Sequence, residues 1–216
     1  MNKAFIFDMD GVLVDSERIW AAEEYDFMAD FFGKNIADKM GSTMGVSVNE
    51  VYQRAVSFGT SIKKETYVKT FDEKARSIYS RASLIEGTDE LVTYLVSQGF
   101  KLALVSASRL NGIEQVLQQL SFKEKFETVI SINDARLPSK PAPDGFLEAL
   151  RRLDAEPKES IVLEDSNRGI ASGKAAGCYV IGYNGHLTEG YEQIGADAYA
   201  DTMDDVIKLV GSFDGN

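Results

Sequence analysis

Histidine, cysteine and proline are scarce in this chain: its 216 residues include one histidine, one cysteine and four prolines. With His186 alone, any mechanism built on two imidazoles is excluded. The residue lies in the loop-like stretch YNGHLTEG, with no evident carboxylate-serine context, and reads as a surface residue. Cys178 alone cannot form an internal disulfide, which suits a reducing compartment. Six residues after it stands Asn184, not the arginine that a cysteine-dependent phosphatase needs, so Cys178 reads as a buried strand cysteine. A Cys/His zinc site cannot be assembled from this inventory. Positive charge is also short. Lys and Arg total 23 against 34 Asp and Glu, a formal net charge of -11. Nucleic-acid and anionic-membrane surfaces need the opposite balance, so neither partner is expected. No apolar run approaches the roughly 20 residues of a membrane span, and the short apolar start is broken by Asp8, unlike a signal peptide. Together these absences predict a cytoplasmic protein. They leave carboxylates, hydroxyls, lysines and a hard metal ion to carry any chemistry.

The chain is otherwise ordinary, with 44% hydrophobic and 26% charged residues, enough for one or two domains with a proper core. Short β-like runs recur, each followed by a turn and a helix-like stretch: Lys3–Asp8, Lys101–Ala107, Glu127–Ile132, Ser160–Asp165, Cys178–Tyr183 and a weak sixth at Asp197–Asp201. This alternation predicts an α/β fold: a Rossmann-like parallel sheet covered by helices, with ligands bound at the carboxyl ends of the strands. The segment from Ser16 to Ala82 breaks the rhythm. It reads as helices over Glu17–Phe32, Val48–Phe58 and Glu65–Ser80, too long for a loop. The expected organisation is a core domain of residues 1–15 and 83–216 with a helical cap of residues 16–82 inserted into it.

Chemistry-bearing residues gather at the predicted strand ends. The first run gives Asp8 and Asp10, the second Ser106, Ala107 and Ser108, the fourth Glu164 and Asp165. Lys140, in LPSKPAPDGF, is aimed by the prolines around it. These groups suit phosphoryl transfer. Asp8 can attack phosphorus as a carboxylate nucleophile and form an aspartyl-phosphate. Asp10 can protonate the leaving oxygen and then deprotonate water. Four carboxylates in one cleft need a counter-ion, and oxygen ligands select Mg²⁺. Ser106, the main-chain N–H groups of Ala107 and Ser108, and Lys140 would hold the remaining phosphate oxygens. GIASGK at Gly169–Lys174 is not a phosphate loop, since its glycine spacing is one residue short and Ala175 stands where Ser or Thr is required. It reads as a helix packed closely on the sheet.

In order and across nearly the whole chain, DMDGVLVDS, the serine of LVSAS, the lysine of SKPAPD and LEDSNRG resemble the four motifs of the haloacid dehalogenase superfamily. The helical insertion after the first strand is similar to the branch that holds phosphoglycolate phosphatases, sugar-phosphate phosphatases and β-phosphoglucomutases. The resemblance implies Asp8 as nucleophile and Asp10 as acid/base. It also implies Mg²⁺ held by the Asp8 side chain, the Asp10 main-chain carbonyl and Asp165, with Glu164 contributing directly or through water. The expected substrate is a small phosphorylated metabolite; the oligomeric state stays open and a monomer is compatible.

The mutases of this branch carry a histidine where Trp20 stands and an arginine where Val48 stands in GVSVNEV, so hydrolysis is expected over phosphosugar mutation. A phosphoacceptor signalling module would place its acceptor aspartate at the end of the third strand and carry no cap, and SINDA does not fit that place. Trp20, Tyr25, Met44, Val46 and Lys69 are the cap candidates for facing the substrate, with packing between cap and core the alternative role for each.

Overall fold

The structure is a computed structural model; it describes residues 2–41, 43 and 46–213, so Met44 lies outside the described residues. Six parallel strands form one sheet: β1 (Ala4–Phe7), β2 (Lys101–Ser106), β3 (Phe126–Ser131), β4 (Ile161–Glu164), β5 (Tyr179–Tyr183) and β6 (Ala198–Ala200). Their order is β3-β2-β1-β4-β5-β6. Every strand lies within, or one residue beyond, the run that predicted it. The sequence does not state the order, and the order makes the site. The chain builds β2 and β3 on one side of β1, then crosses over to lay β4 on the other. The crevice at the strand carboxyl ends therefore opens beside β1, at the point where the winding reverses.

The inner strands β1, β2, β4 and β5 are short, apolar and largely buried on both faces, as a doubly covered parallel sheet requires. Side chains alternate across the sheet. Phe5, Phe7, Leu102, Leu104 and Leu163 enter one apolar cluster. Ala4, Ile6, Ala103, Val105 and Val162 enter the other. The first layer is covered by α5 (Thr88–Ser97), α6 (Leu110–Leu117) and α9 (Met203–Gly211), the second by α7 (Asp144–Leu153) and α8 (Asn167–Ala175). Each fully buried large apolar side chain adds about 1.5–3 kcal/mol of transfer free energy, so two such layers hold the strand ends rigidly. Cys178 is buried, as expected, and stands just before β5.

Between β1 and α5 the chain forms α1 (Glu17–Phe32), α2 (Lys34–Met40), α3 (Val48–Ser57) and α4 (Lys64–Tyr79). Helix α2 was not anticipated. Gly33, at φ +87°, ends α1 and turns the chain so that Ile36, Ala37 and Met40 can pack inward. These helices carry an apolar cluster of their own around Met28, Phe32, Val51 and Tyr67. Polar ties cross to the strand-bearing part: Glu50 on α3 pairs with Arg168 on α8 at 2.8 Å, and Ser139 Oγ donates to Ser47 Oγ at 2.7 Å. His186 departs from its expected place on an unpartnered surface. Its ring is half-buried, with Nδ1 3.3 Å from Asp15 and 3.0 Å from Arg18 Nη2. The β5–β6 loop folds back over the start of α1, a proximity that no local pattern encodes. No helix among the described residues is long and apolar enough to cross a membrane.

Candidate active site

Asp8 follows directly on β1, and its N–H continues the parallel ladder by donating to Leu163 O at 3.0 Å. The register that pairs Phe7 with both Leu104 and Leu163 brings Asp8 level with Glu164 on one side and next to Ser106 on the other. The turn after it is tight. Gly11 has φ +73°, and a Cβ there would lie 2.0 Å from Asp165 Oδ2. Only glycine lets the first and fourth strand ends approach so closely.

The two aspartates of DMD are held by opposite means. Asp8 accepts a hydrogen bond from Lys140 Nζ at 2.5 Å. Asp10 accepts from three hydroxyls: Ser16 at 2.6 Å and Tyr79 at 3.0 Å on Oδ1, and Ser108 at 2.8 Å on Oδ2. Burial, opposed by Lys140 and reinforced by Glu164 and Asp10, pushes the Asp8 carboxyl up to about 8. Lys140 is itself only 2% exposed. Burial disfavours its charge, yet Asp8 and Glu164 outweigh that and hold it above the ordinary lysine range.

Glu164, also fully buried, bonds Lys140 through Oε1 and accepts from the N–H and hydroxyl of Ser166, both at 2.9 Å, through Oε2. Its oxygens are thus engaged by a cation and a helix start. This is possible because Gly169, in the first turn of α8, has no side chain: a Cβ there would lie 1.7 Å from Glu164 Oε1. Gly169→Ala should therefore displace Glu164, loosen Lys140 and lower turnover by about tenfold or more. Steady-state kinetics checks this, and wild-type rates in the folded variant would show that Glu164 is not needed there.

Asp165 is buried beside these groups. Burial first, then Glu17, Glu164 and Asp8, push its carboxyl well above the ordinary range, against Lys140. Ser106, 1% exposed, accepts from Ser108 N–H at 3.0 Å. Asp8, Asp10, Ser106, Ala107, Ser108, Lys140 and Asp165 all line one cavity of about 150 Å³. That space suits a small ester and not a large one.

Of the cap residues singled out in the sequence, Trp20 and Val46 line this cavity. Trp20 stacks on Phe71 with ring centroids 5.1 Å apart. Tyr25 is half exposed, its hydroxyl donating to Asp38 at 2.8 Å, and Lys69 is exposed; neither lines the cavity. Sequence reasoning passed over Ser16, Glu17, Glu24 and Tyr79. Glu17 and Glu24 stand on the cavity face of α1 with Trp20, a spacing of three and four residues that was visible as a helical stripe. Tyr79 had no such signal. Its ring fits only because Gly112 on α6 offers no Cβ, which would come within 2.7 Å of it.

The sequence matches the haloacid dehalogenase-like hydrolase family over residues 5–183. It is 33% identical over 179 residues to hexitol phosphatase B of Escherichia coli, covering 80% of this chain and 79% of that protein. It is 27% identical over 213 residues to the β-phosphoglucomutase of Bacillus subtilis, covering 90% and 87%. The fold matches the crystal structure of CbbY from Rhodobacter sphaeroides in complex with phosphate at a TM-score of 0.75, with 22% identity over 95% of this chain and 96% of that one. The chain belongs to the haloacid dehalogenase-like hydrolases. It is an enzyme, a phosphoric monoester hydrolase of that family.

Proposed function

We propose that this enzyme is a Mg²⁺-dependent phosphatase of small sugar-phosphate-like monoesters and acts through an aspartyl-phosphate on Asp8. The observation that carries the reading is the contrast between Asp8, held by Lys140 at 2.5 Å, and Asp10, held by three hydroxyls. Asp8, kept in place by an ammonium, attacks phosphorus. An ionised carboxylate has about four acceptor positions. Three on Asp10 are filled by Ser16, Tyr79 and Ser108, and the last can exchange a proton with the leaving oxygen and then with the attacking water. Ser106 and the main-chain N–H groups beside it receive phosphate oxygens, and Lys140 offsets their charge.

The donor set suits Mg²⁺. Among the described residues no three His, Cys, Asp or Glu side chains gather as ligands to one ion. Asp8, Asp165 and the main-chain carbonyl of Asp10 would hold it, and Mg²⁺ commonly takes just one or two carboxylates, with waters and substrate phosphate completing its shell. Two buried carboxyls pushed upward by burial and like charge are groups that a hard cation relieves. Bound there, Mg²⁺ would supply the charge that keeps Asp8 ionised beside an anionic phosphate. Glu164, already engaged by Lys140 and Ser166, would reach the ion through water.

Hydrolysis is favoured over isomerisation by the cap. A mutase must hold a reorienting sugar phosphate and keep water out, whereas Trp20 and Val48 give bulk and apolar surface to the cavity wall. The experiment follows phosphate and isomer together from β-glucose 1-phosphate, with a trace of glucose 1,6-bisphosphate, alongside a panel of sugar and polyol phosphates. Phosphate release that requires Mg²⁺ and stops with EDTA is expected. Asp165→Ala should raise the Mg²⁺ concentration for half-maximal rate by about tenfold or more. Glucose 6-phosphate accumulating faster than phosphate would replace hydrolysis with mutation, and unchanged metal dependence would remove Asp165 from the metal site.

A further inference from the structure

The cavity carries a strongly unequal charge inventory. Its described walls include the carboxylates of Asp8, Asp10, Glu17, Glu24 and Asp165, and a single cation, Lys140. Lys140 sits at the strand ends, bonded to Asp8 and Glu164. The cap end is different. Helix α1 presents the stripe Glu17, Trp20, Ala21, Glu24 and Met28, and faces the apolar Val48, Val51 and Phe71. Glu24 stands two helical turns beyond Glu17, where the side chains around it are mainly carbon. Thr43 donates its hydroxyl to Glu24 Oε1 and lines the cavity with it. Burial pushes the Glu24 carboxyl up, against the pull of Thr43 and Arg54. Arg54 is bonded to Glu50 at 3.1 Å and does not line the cavity. A second anionic group on a substrate would therefore meet Glu24 at the cap end, where none of the described residues lining the cavity is cationic.

We propose that Glu24, positioned by Thr43, is a specificity-determining residue that accepts hydrogen bonds from the hydroxyls of a neutral, polyhydroxylated tail and rejects esters bearing a second anionic group. The proposal rests on the phosphatase reading and narrows it. One oxygen of Glu24 is directed by Thr43, and the remaining acceptor positions are those a polyol can fill. Val48, Val51 and Phe71 would lie along the carbon chain. Like charges brought together without a counter-ion disfavour binding strongly, so bisphosphates and phosphorylated carboxylic acids would be excluded by the same residue that grips hydroxyls.

The test compares sorbitol 6-phosphate with fructose 1,6-bisphosphate and phosphoglycolate under saturating Mg²⁺, with p-nitrophenyl phosphate as a reporter of wild-type phosphatase chemistry. Wild type should prefer sorbitol 6-phosphate by about a hundredfold in kcat/KM. Glu24→Gln, nearly isosteric, should raise KM for sorbitol 6-phosphate by about tenfold, with a much smaller effect on kcat, and narrow the preference over the bisphosphate by about tenfold or more. Glu24→Asp should retain more of the preference than Glu24→Gln, which a purely structural role would not produce. Comparable wild-type rates on the bisphosphate or phosphoglycolate, with p-nitrophenyl phosphate cleaved, would overturn the specificity proposal and leave the phosphatase reading standing. So would an unchanged preference in folded Glu24→Gln. If that variant does not fold, the wild-type preference decides alone. Absence of phosphate release from every ester, p-nitrophenyl phosphate included, would overturn the phosphatase reading itself.

Discussion

Asp8→Asn is expected to abolish turnover, with a loss of at least about 10⁴-fold, while the protein stays folded. The amide is nearly the same size, so the packing at the end of β1 is unchanged, but it is a poor nucleophile and a weak ligand for a hard cation. The variant also removes one of several carboxylates crowded around Lys140, while Glu164 remains as its partner. Its melting temperature in EDTA should consequently be no lower than that of wild type. Circular dichroism establishes the fold and phosphate release establishes the rate. Wild-type turnover in a folded Asp8→Asn protein would remove Asp8 from the nucleophile's role. Asp10, bound by three hydroxyls, and Glu164, bound by Lys140 and Ser166, are not expected to replace it.

Lys140→Ala should damage both rate and stability. Lys140 is 2% exposed and bridges Asp8 and Glu164. Removing it leaves two buried carboxylates without their counter-ion, which costs about 3–5 kcal/mol unless they take up protons. In a chain of this length that lowers the melting temperature by roughly ten degrees. The charge opposite the transferring phosphoryl oxygens is lost as well, and turnover should fall by about 10²–10³-fold. Added Mg²⁺ should restore part of the stability by neutralising Asp8, and little of the rate. A variant that melts with wild type would show that Lys140 does not compensate the buried carboxylates. The contrast with Asp8→Asn is the informative part: one substitution silences the enzyme without destabilising it, and the other does both.

Much of this was legible in the sequence for identifiable reasons. Short apolar runs ending in polar residues must be buried strands, because an apolar face on each side needs two covering layers. Their polar terminal residues, from Asp8 to Asp165, therefore had to lie at one edge of one sheet. What local patterns could not contain was orientation. The helical stripe on α1 was present in the residues, yet it could face α4, solvent or the strand ends, and so Tyr25 was a candidate for the substrate and Glu24 was not. Glu164 was expected near the metal because LEDSNRG resembles the family's fourth motif. Its engagement by Lys140 depends on a lysine 24 residues earlier and on the absence of a side chain at Gly169.

The sequence alone determined the kind of fold, the helical stretch after the first strand and the residue types at the strand ends, because hydrophobic period and residue type are local properties that folding must respect. The tertiary structure decided the strand order that puts β4 beside β1, the three hydroxyls on Asp10, the burial of Lys140 between two carboxylates and the place of Glu17 and Glu24 on the cavity wall. Each of these depends on residues far apart in the chain, brought together by packing, and long-range packing leaves no periodic trace in the sequence.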